Sequence, residues 1–227
     1  SGSVSDGGGT STIQLDGGAM TVANGLQVDN LRVAFDGLSA NLTVNGGDVV
    51  IGTGTETFNI GSRSAVTSGS TLGTVDFSGA ASVSIDVAQL GLAQIPTASG
   101  TTAGTLILPT TGAATINATV ISLGDIPSSS GSGLASLQLG GGTTDIAVDH
   151  FYVSRRKKSG EVTIEAGGEL NLVGRSVAEA NLYIGYNDVH TAGETTGAMD
   201  LAGSTFNAEL DNLIVGYHYR PSVSNET

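Results

Sequence analysis

The chain has 227 residues and no cysteine, and its 8 basic and 21 acidic residues give a formal net charge of −13. This charge repels phosphate backbones and argues against nucleic acid as a partner, and the lack of thiols excludes disulfides and thiolate metal sites. The composition favours an extracellular or cell-surface location, and we find neither a membrane-spanning apolar run nor a signal peptide.

The first predicted strand of each unit is a short segment in which apolar residues alternate with others. Most copies are followed at once by a glycine turn, where a positive φ is expected. The strand copies are Ile13-Gln14-Leu15, Leu42-Thr43-Val44, Val75-Asp76-Phe77, Leu106-Ile107-Leu108, Leu137-Gln138-Leu139, Val162-Thr163-Ile164 and Met199-Asp200-Leu201. The turn copies include Asp16-Gly17-Gly18, Asn45-Gly46-Gly47, Ser78-Gly79, Gly140-Gly141-Gly142, Ala166-Gly167-Gly168 and Ala202-Gly203.

A second strand follows the turn in several units, for example Val49-Val50-Ile51, Val83-Ser84-Ile85 and Leu170-Asn171-Leu172. The third strand carries an apolar-x-apolar-small motif that occurs seven times, with steps of 27, 32, 31, 30, 31 and 31 residues. Its first apolar positions are Leu31, Phe58, Leu90, Ile121, Phe151, Leu182 and Leu213. Its second apolar positions are Val33, Ile60, Leu92, Leu123, Val153, Ile184 and Val215.

A unit of this length with three short strands could form a propeller blade, a pair of sandwich hairpins or one coil of a solenoid. Propeller blades carry four strands over roughly 40 to 50 residues, so the spacing favours the solenoid. We therefore predict an all-β fold: a parallel β-solenoid, or β-helix, of about seven coils of roughly 31 residues, as one domain over residues 1–227. The two apolar rows are predicted to stack inside it about 4.8 Å apart, with the small residue after each pair at a corner.

The repeats contain the motif G-x-L-x-L-x-G-G followed later in the unit by N-L-x-V/I-G. They resemble the β-strand repeats of bacterial autotransporter-type passengers and related large surface proteins. The resemblance implies a right-handed parallel β-solenoid exported to the cell surface, where it serves as a stalk, adhesin or matrix fibre. It implies no catalytic residues.

Two clusters are candidates for contact with a ligand or partner. Arg155-Arg156-Lys157-Lys158 holds half of the basic residues, and could meet acidic glycans or an acidic neighbour, or be a solvated loop in which Arg155 pairs with Asp125. Tyr152 and Tyr183 share one outward row and Tyr186 and Tyr217 another, so they could stack on sugar rings or merely cover the sheet.

The sequence gives little support for a metal site, a cofactor site or a catalytic site. None of the three histidines stands with the acids or further imidazoles that a zinc site needs, and we predict no metal and no cofactor. Asp76 and Asp200 share an outward row but lie four coils apart, so they cannot act as the carboxylate pair of a glycosidase.

We therefore expect a non-enzymatic extracellular structural or adhesive protein, with end-to-end self-association or continuation in a longer array, and a glycan or host surface as a further partner. The alternatives are a carbohydrate-binding module and a polysaccharide-degrading enzyme on the same fold.

Overall fold

The computed structural model describes residue 4 and residues 10–64, 69–95, 100–127, 131–156, 159–189 and 195–218. Every regular element in these residues is a β-strand, and every strand pair is parallel. The strands are β1 (Thr12–Leu15), β2 (Gly18–Val22), β3 (Leu26–Val28), β4 (Asn30–Phe35), β5 (Ser39–Val44), β6 (Asp48–Ile51), β7 (Thr57–Ser62), β8 (Thr71–Asp76), β9 (Ser82–Gln94), β10 (Gly100–Ile107), β11 (Ala113–Asp125), β12 (Gly131–Ser132), β13 (Leu134–Leu139), β14 (Thr143–Arg155), β15 (Ser159–Ile164), β16 (Glu169–Val173), β17 (Ala180–Tyr186), β18 (Thr196–Asp200), β19 (Thr205–Ala208) and β20 (Leu210–Val215).

The strands stack as coils of a β-solenoid with three faces, which confirms the predicted fold class. Face one is one sheet in the order β2, β5, β8, β10, β13, β15, β18. Face two contains β3, β6, the first halves of β9, β11 and β14, then β16 and β19. Face three contains β1, β4, β7, the second halves of β9, β11 and β14, then β17 and β20.

The predicted rows of face three pair in register. Leu31 through Leu182 and Val33 through Val153 are at most 2% exposed, so five coils pack both rows into an apolar interior. Ile184 is half-buried. The prediction was wrong for Leu213 and Val215: they hold the predicted register on β20, but 57% and 68% of their surfaces are exposed, because no described strand lies beyond β20.

One strand was assigned to the wrong face. Ile13 and Leu15 pair with Leu31 and Val33 on face three, whereas the first strand of face one is β2, in which Met20 pairs with Leu42. The error arose because a period of two followed by glycines is common to both kinds of strand.

The corner after face three is built from two touching rows of small residues. All seven predicted corner residues have positive φ, from 55° at Ala93 to 73° at Gly216. The facing row on face one is also small and includes Gly73, Gly104 and Gly160. A Cβ added at Gly104 would lie 2.7 Å from the backbone nitrogen of Ala93, so this corner is too narrow for larger side chains.

The glycine turns after face one fall into two groups. Gly18, Gly47, Gly167 and Gly203 have the predicted positive φ. The prediction was wrong for Gly79 and for residues 140–142, whose φ values are not positive. Close approach of the coils explains Gly140 and Gly142, since a Cβ there would overlap the carbonyl oxygens of Pro109 and Gly112.

Candidate functional site

The outer surface of face three carries most of the distinctive polar and aromatic side chains. Strand alternation turns three residues of each coil outward, and coil stacking aligns them in rows. The outer rows are Thr57, Gln89, Val120, His150, Asn181 and Asn212; Arg32, Asn59, Gly91, Ser122, Tyr152, Tyr183 and Ile214; and, just past the corner, Phe35, Ser62, Gln94, Asp125, Arg155, Tyr186 and Tyr217.

Four tyrosines in these rows form one continuous ladder. The rings of Tyr152 and Tyr183 stack with centroids 4.6 Å apart, and those of Tyr186 and Tyr217 stack at 4.9 Å. Tyr183 and Tyr186, at 4.9 Å and with tilted rings, join the two pairs. The structure thus places Tyr183, Tyr186 and Tyr217 in the predicted rows and connects those rows.

Neighbouring rings of the ladder cover one another's faces. A stacked neighbour covers at least one face of each ring, and burial raises the pKa of Tyr152, Tyr183 and Tyr186 above the ordinary value. Tyr217, on the outermost described coil, is 41% exposed. A sugar ring that stacks on an aromatic face would therefore find its best platform at Tyr217.

Next to the ladder lies an ion network of two arginines and two aspartates. Arg155 contacts Asp125 at 3.4 Å and Asp188 at 3.2 Å, and Arg156 contacts the same carboxylates at 3.5 and 2.7 Å. The predicted pair of Arg155 with Asp125 is thus present, although it is largely buried. The Arg155 guanidinium also lies 4.4 Å from the centre of the Tyr152 ring, which joins the network to the ladder.

The two carboxylates respond differently to the network. Burial raises the pKa of Asp125 above its ordinary value, against the attraction of Arg156 and Arg155. Burial also acts on Asp188, but hydrogen bonds from Arg156 and Arg155 outweigh it and lower the pKa of that carboxyl. Two positive charges thus face two negative ones, so the charges of Arg155 and Arg156 are compensated by Asp125 and Asp188. Lys157 and Lys158 lie outside the described residues.

A cavity of about 430 Å³, which sequence reasoning missed, opens on the same surface beside the ion network. Its walls come from the outer rows of face three and from the residues just past the corner. They are Phe35, Asn59, Ser62, Arg63, Ser64, Gln89, Gln94, Asp125, Pro127 and Arg156.

Arg63 forms the most deeply buried part of the cavity wall. It is only 1% exposed; its backbone nitrogen donates to the carbonyl of Gln94 and its Nη1 donates to the carbonyl of Gly69 at 2.9 Å. A Cβ at Gly100 would overlap the guanidinium, so the glycine makes room for it. The sequence carried one signal: Arg63 stands where the next two coils have the buried Ile95 and Ile126.

Buried polar atoms that lack a hydrogen-bond partner in the described part of the chain are also found on this surface. They are Arg32 Nε, Ser62 Oγ, Ser122 Oγ, Asp125 Oδ1, His150 Nδ1 and Arg155 Nε. Buried polar groups in native proteins are nearly always satisfied by protein, water or ligand. The outer surface of face three is therefore the part of the described molecule best prepared to bind polar groups.

Comparison with protein-family models, curated proteins and solved structures finds no match to this chain. Nor do the described residues include any helix long and apolar enough to cross a membrane.

Proposed function

We propose that this chain is a non-enzymatic extracellular structural or adhesive protein, a β-solenoid that builds a surface stalk, matrix fibre or filament. The observation that carries the proposal is the open stacking surface of the outermost described coil. There, Leu213 and Val215 are well exposed although the rows that they occupy are fully buried in the first five coils that carry the repeat motif. The unpaired edge of β20 accompanies them, as judged from the described strands.

Another coil placed on this surface would bury these side chains and satisfy the strand edge. The opposite end of the described solenoid offers matching rows, which begin with Ile13 and Leu15 and are half-buried. A second copy stacked head to tail would continue the columns, as would further coils in a longer array. Because stacking along the solenoid axis is a head-to-tail contact that does not curve back to its start, its repetition would give an open filament rather than a ring.

Electron microscopy and sedimentation across a concentration series test this proposal. We expect rods that lengthen with concentration, and we expect the double variant Leu213→Asp/Val215→Asp to abolish them by placing charge on the stacking surface. The matched control is Ile214→Asp, on the same strand but in an outer row. Short particles at every concentration, or equal loss of rods in the control, would argue against coil stacking.

A second candidate is a carbohydrate-binding module, which the exposed ring of Tyr217 at the end of the ladder supports. Replacing Tyr217 by Ala should then weaken glycan binding more than replacing Tyr152, whose ring is covered by Arg155 and Tyr183. Equal losses would indicate that the ladder only supports the sheet.

The third reading, a polysaccharide-degrading enzyme, requires carboxylates free to act on a substrate. In the structure Asp76 and Asp200 accept backbone hydrogen bonds within turns, and Asp125 and Asp188 contact arginines. We expect no oligosaccharide release from polysaccharides incubated with the protein; release above the level of a mock preparation would establish the enzyme reading.

A further inference from the structure

The chain contains two Asn-Gly pairs, and the fold places them in corresponding turns of neighbouring coils. Asn24-Gly25 lies between β2 and β3, and Asn45-Gly46 lies between β5 and β6, so both turns lead from face one to face two. Both asparagines are exposed, and neither side-chain amide bonds to another described residue. Each side chain can therefore turn towards the backbone nitrogen that follows it.

An asparagine that precedes a glycine can react spontaneously with its own backbone. The glycine nitrogen attacks the asparagine Cγ, since glycine has no side chain to obstruct the approach and one chain holds both reacting atoms. The nitrogen bonds to Cγ, the bond from Cγ to Nδ2 breaks, and Nδ2 leaves with the proton of that nitrogen as ammonia. Water then opens the cyclic succinimide. Attack at Cγ gives aspartate, and attack at the main-chain carbonyl carbon gives isoaspartate, whose backbone runs through the side chain.

The two pairs differ in the state of the attacking nitrogen. The backbone nitrogen of Gly25 donates to the carbonyl of Gly46 at 2.7 Å. The backbone nitrogen of Gly46 donates to no acceptor in the described part of the chain. Attack by Gly25 therefore requires a hydrogen bond to break first, whereas attack by Gly46 does not.

We propose that Asn45 is a modification site, where spontaneous deamidation to isoaspartate loosens one joint of the solenoid, and that the fold protects Asn24. The turn at Asn45 bonds to the coils on both sides: the carbonyl of Gly46 accepts from Gly25, and that of Gly47 accepts from Ala81, both at 2.7 Å. The extra main-chain atom of isoaspartate lengthens this turn and moves both carbonyls away from their donors. The reaction needs no partner molecule, so it can fail or succeed separately from the proposed assembly.

Peptide mapping by mass spectrometry tests the proposal on the full chain, kept at mildly alkaline pH and physiological temperature for several weeks. We expect Asn45 to convert to aspartate and isoaspartate about fivefold or more faster than Asn24, the ratio that one hydrogen bond supplies. In urea, where the turns are lost, the two rates should converge. No conversion of Asn45, equal rates in the folded protein, or a ratio that persists unchanged in urea would overturn the proposal.

Two variants test the attacking nitrogen and the effect of the product. Gly46→Ala places a methyl group beside the nitrogen at a residue whose φ is not positive, and conversion of Asn45 should slow about tenfold or more. Asn45→Asp carries the charge of the product without lengthening the backbone. Hydrogen exchange at Gly25 and Ala81 should be faster in the purified isoaspartate form than in the parent, and unchanged in freshly prepared Asn45→Asp. An undiminished rate in Gly46→Ala, or parental exchange in the isoaspartate form, would overturn the proposal.

Discussion

At the corner residues, the effect of a positive φ can be separated from the effect of the space available to a Cβ. A non-glycine residue in the left-handed region costs about 1–2 kcal/mol, yet Ala34, Ala93 and Ser154 adopt it. The backbone conformation alone therefore does not require glycine at a corner. At Gly61 space requires it, because a Cβ there would overlap the carbonyl oxygen of Ala103.

Gly61→Ala and Gly185→Ala make a matched pair, since both glycines have φ of 67°. At Gly185 the nearest atom to an added Cβ is Thr195 O at 3.5 Å, an ordinary contact. We expect Gly185→Ala to lower the free energy of unfolding by about 1 kcal/mol, from conformation alone, and Gly61→Ala by about 3 kcal/mol or more. Urea unfolding measures both, and equal losses would show that the corner relaxes around Ala103.

The carboxyl of Glu56 gives a prediction about how protonation affects the stability of the fold. Its carboxylate accepts bonds from the backbone and hydroxyl of Thr53, at 2.7 and 2.6 Å, and from those of Thr55, both at 3.0 Å. These bonds, led by the Thr53 hydroxyl, lower its pKa from 4.5 to about 2. Because the folded-state pKa is depressed, the carboxylate stabilises the fold above pH 4.5, and this contribution is lost as the pH falls towards 2.

Carbon-13 NMR titration of the Glu56 carboxyl should therefore show a midpoint well below 4.5. Thr53→Val should move the midpoint back up by removing the strongest donor. The effect on stability will be small, because the group is solvent-exposed and water screens it. A Glu56 midpoint near 4.5 in the parent protein would contradict the hydrogen-bonded turn.

Among the elements, the connection between β16 and β17 reaches furthest along the solenoid. Arg175 donates to the carbonyl of Val87 at 2.7 Å, to Thr119 Oγ1 at 3.2 Å and to the carbonyl of Gly54 at 3.2 Å, and it pairs with Asp86 at 3.0 Å. One side chain thus ties three other coils together at the edge between faces two and three. Ser176 anchors the same connection to Asp149, with two contacts of 2.7 Å.

We expect Arg175→Lys to lose most of these contacts, because an ammonium cannot reach four acceptors spread over three coils. Both Arg175→Lys and Arg175→Ala should lower the free energy of unfolding by about 1–3 kcal/mol. Hydrogen exchange should rise most at Gly54 and Ala88, whose amides bond between neighbouring coils next to the contacts of Arg175. A variant with Lys that matches the parent in both measurements would show that the Asp86 ion pair alone matters.

The repeat motif predicted elements well where neighbouring coils impose the same environment. The inner rows and the corner could be found because every coil repeats them. The repeat pattern predicted two separate strands per coil, whereas β9, β11 and β14 run continuously for 13 residues each. No glycine or proline interrupts them at the bend between faces two and three. The contacts of Arg175 could not be predicted from the sequence, since a contact with a residue 88 positions away occurs once and follows no repeat.

The same reasoning explains how far the candidate site could be predicted. The tyrosine rows follow from the register, so their stacking could be anticipated. The cavity could not, because its walls combine residues from several coils, such as Arg63, Gln94 and Arg156, whose types do not repeat from coil to coil. Its ion network also depends on Asp188, which has no repeat partner in sequence and lies in a connection past β17.

For the whole molecule, stacking predicts that one coil can be removed cleanly. Deleting residues 90–120 joins Gln89 to Ile121, the residue that pairs with Leu90 in the next coil, and leaves every inner row continuous. We expect circular dichroism and cooperative unfolding like those of the parent, at lower stability. Deleting residues 90–104 would shift the downstream rows by half a coil and should abolish the fold; similar behaviour of both deletions would contradict the register.

The direction of the backbone hydrogen bonds has a mechanical consequence. Parallel strands in successive coils bond to each other along the solenoid axis, so a pull between the two ends loads one layer of bonds at a time in tension. Each coil of about 31 residues would release roughly 100 Å of chain when it peels away. Single-molecule stretching should therefore record low, evenly spaced force peaks, as expected of a fibre that yields stepwise rather than breaking at once.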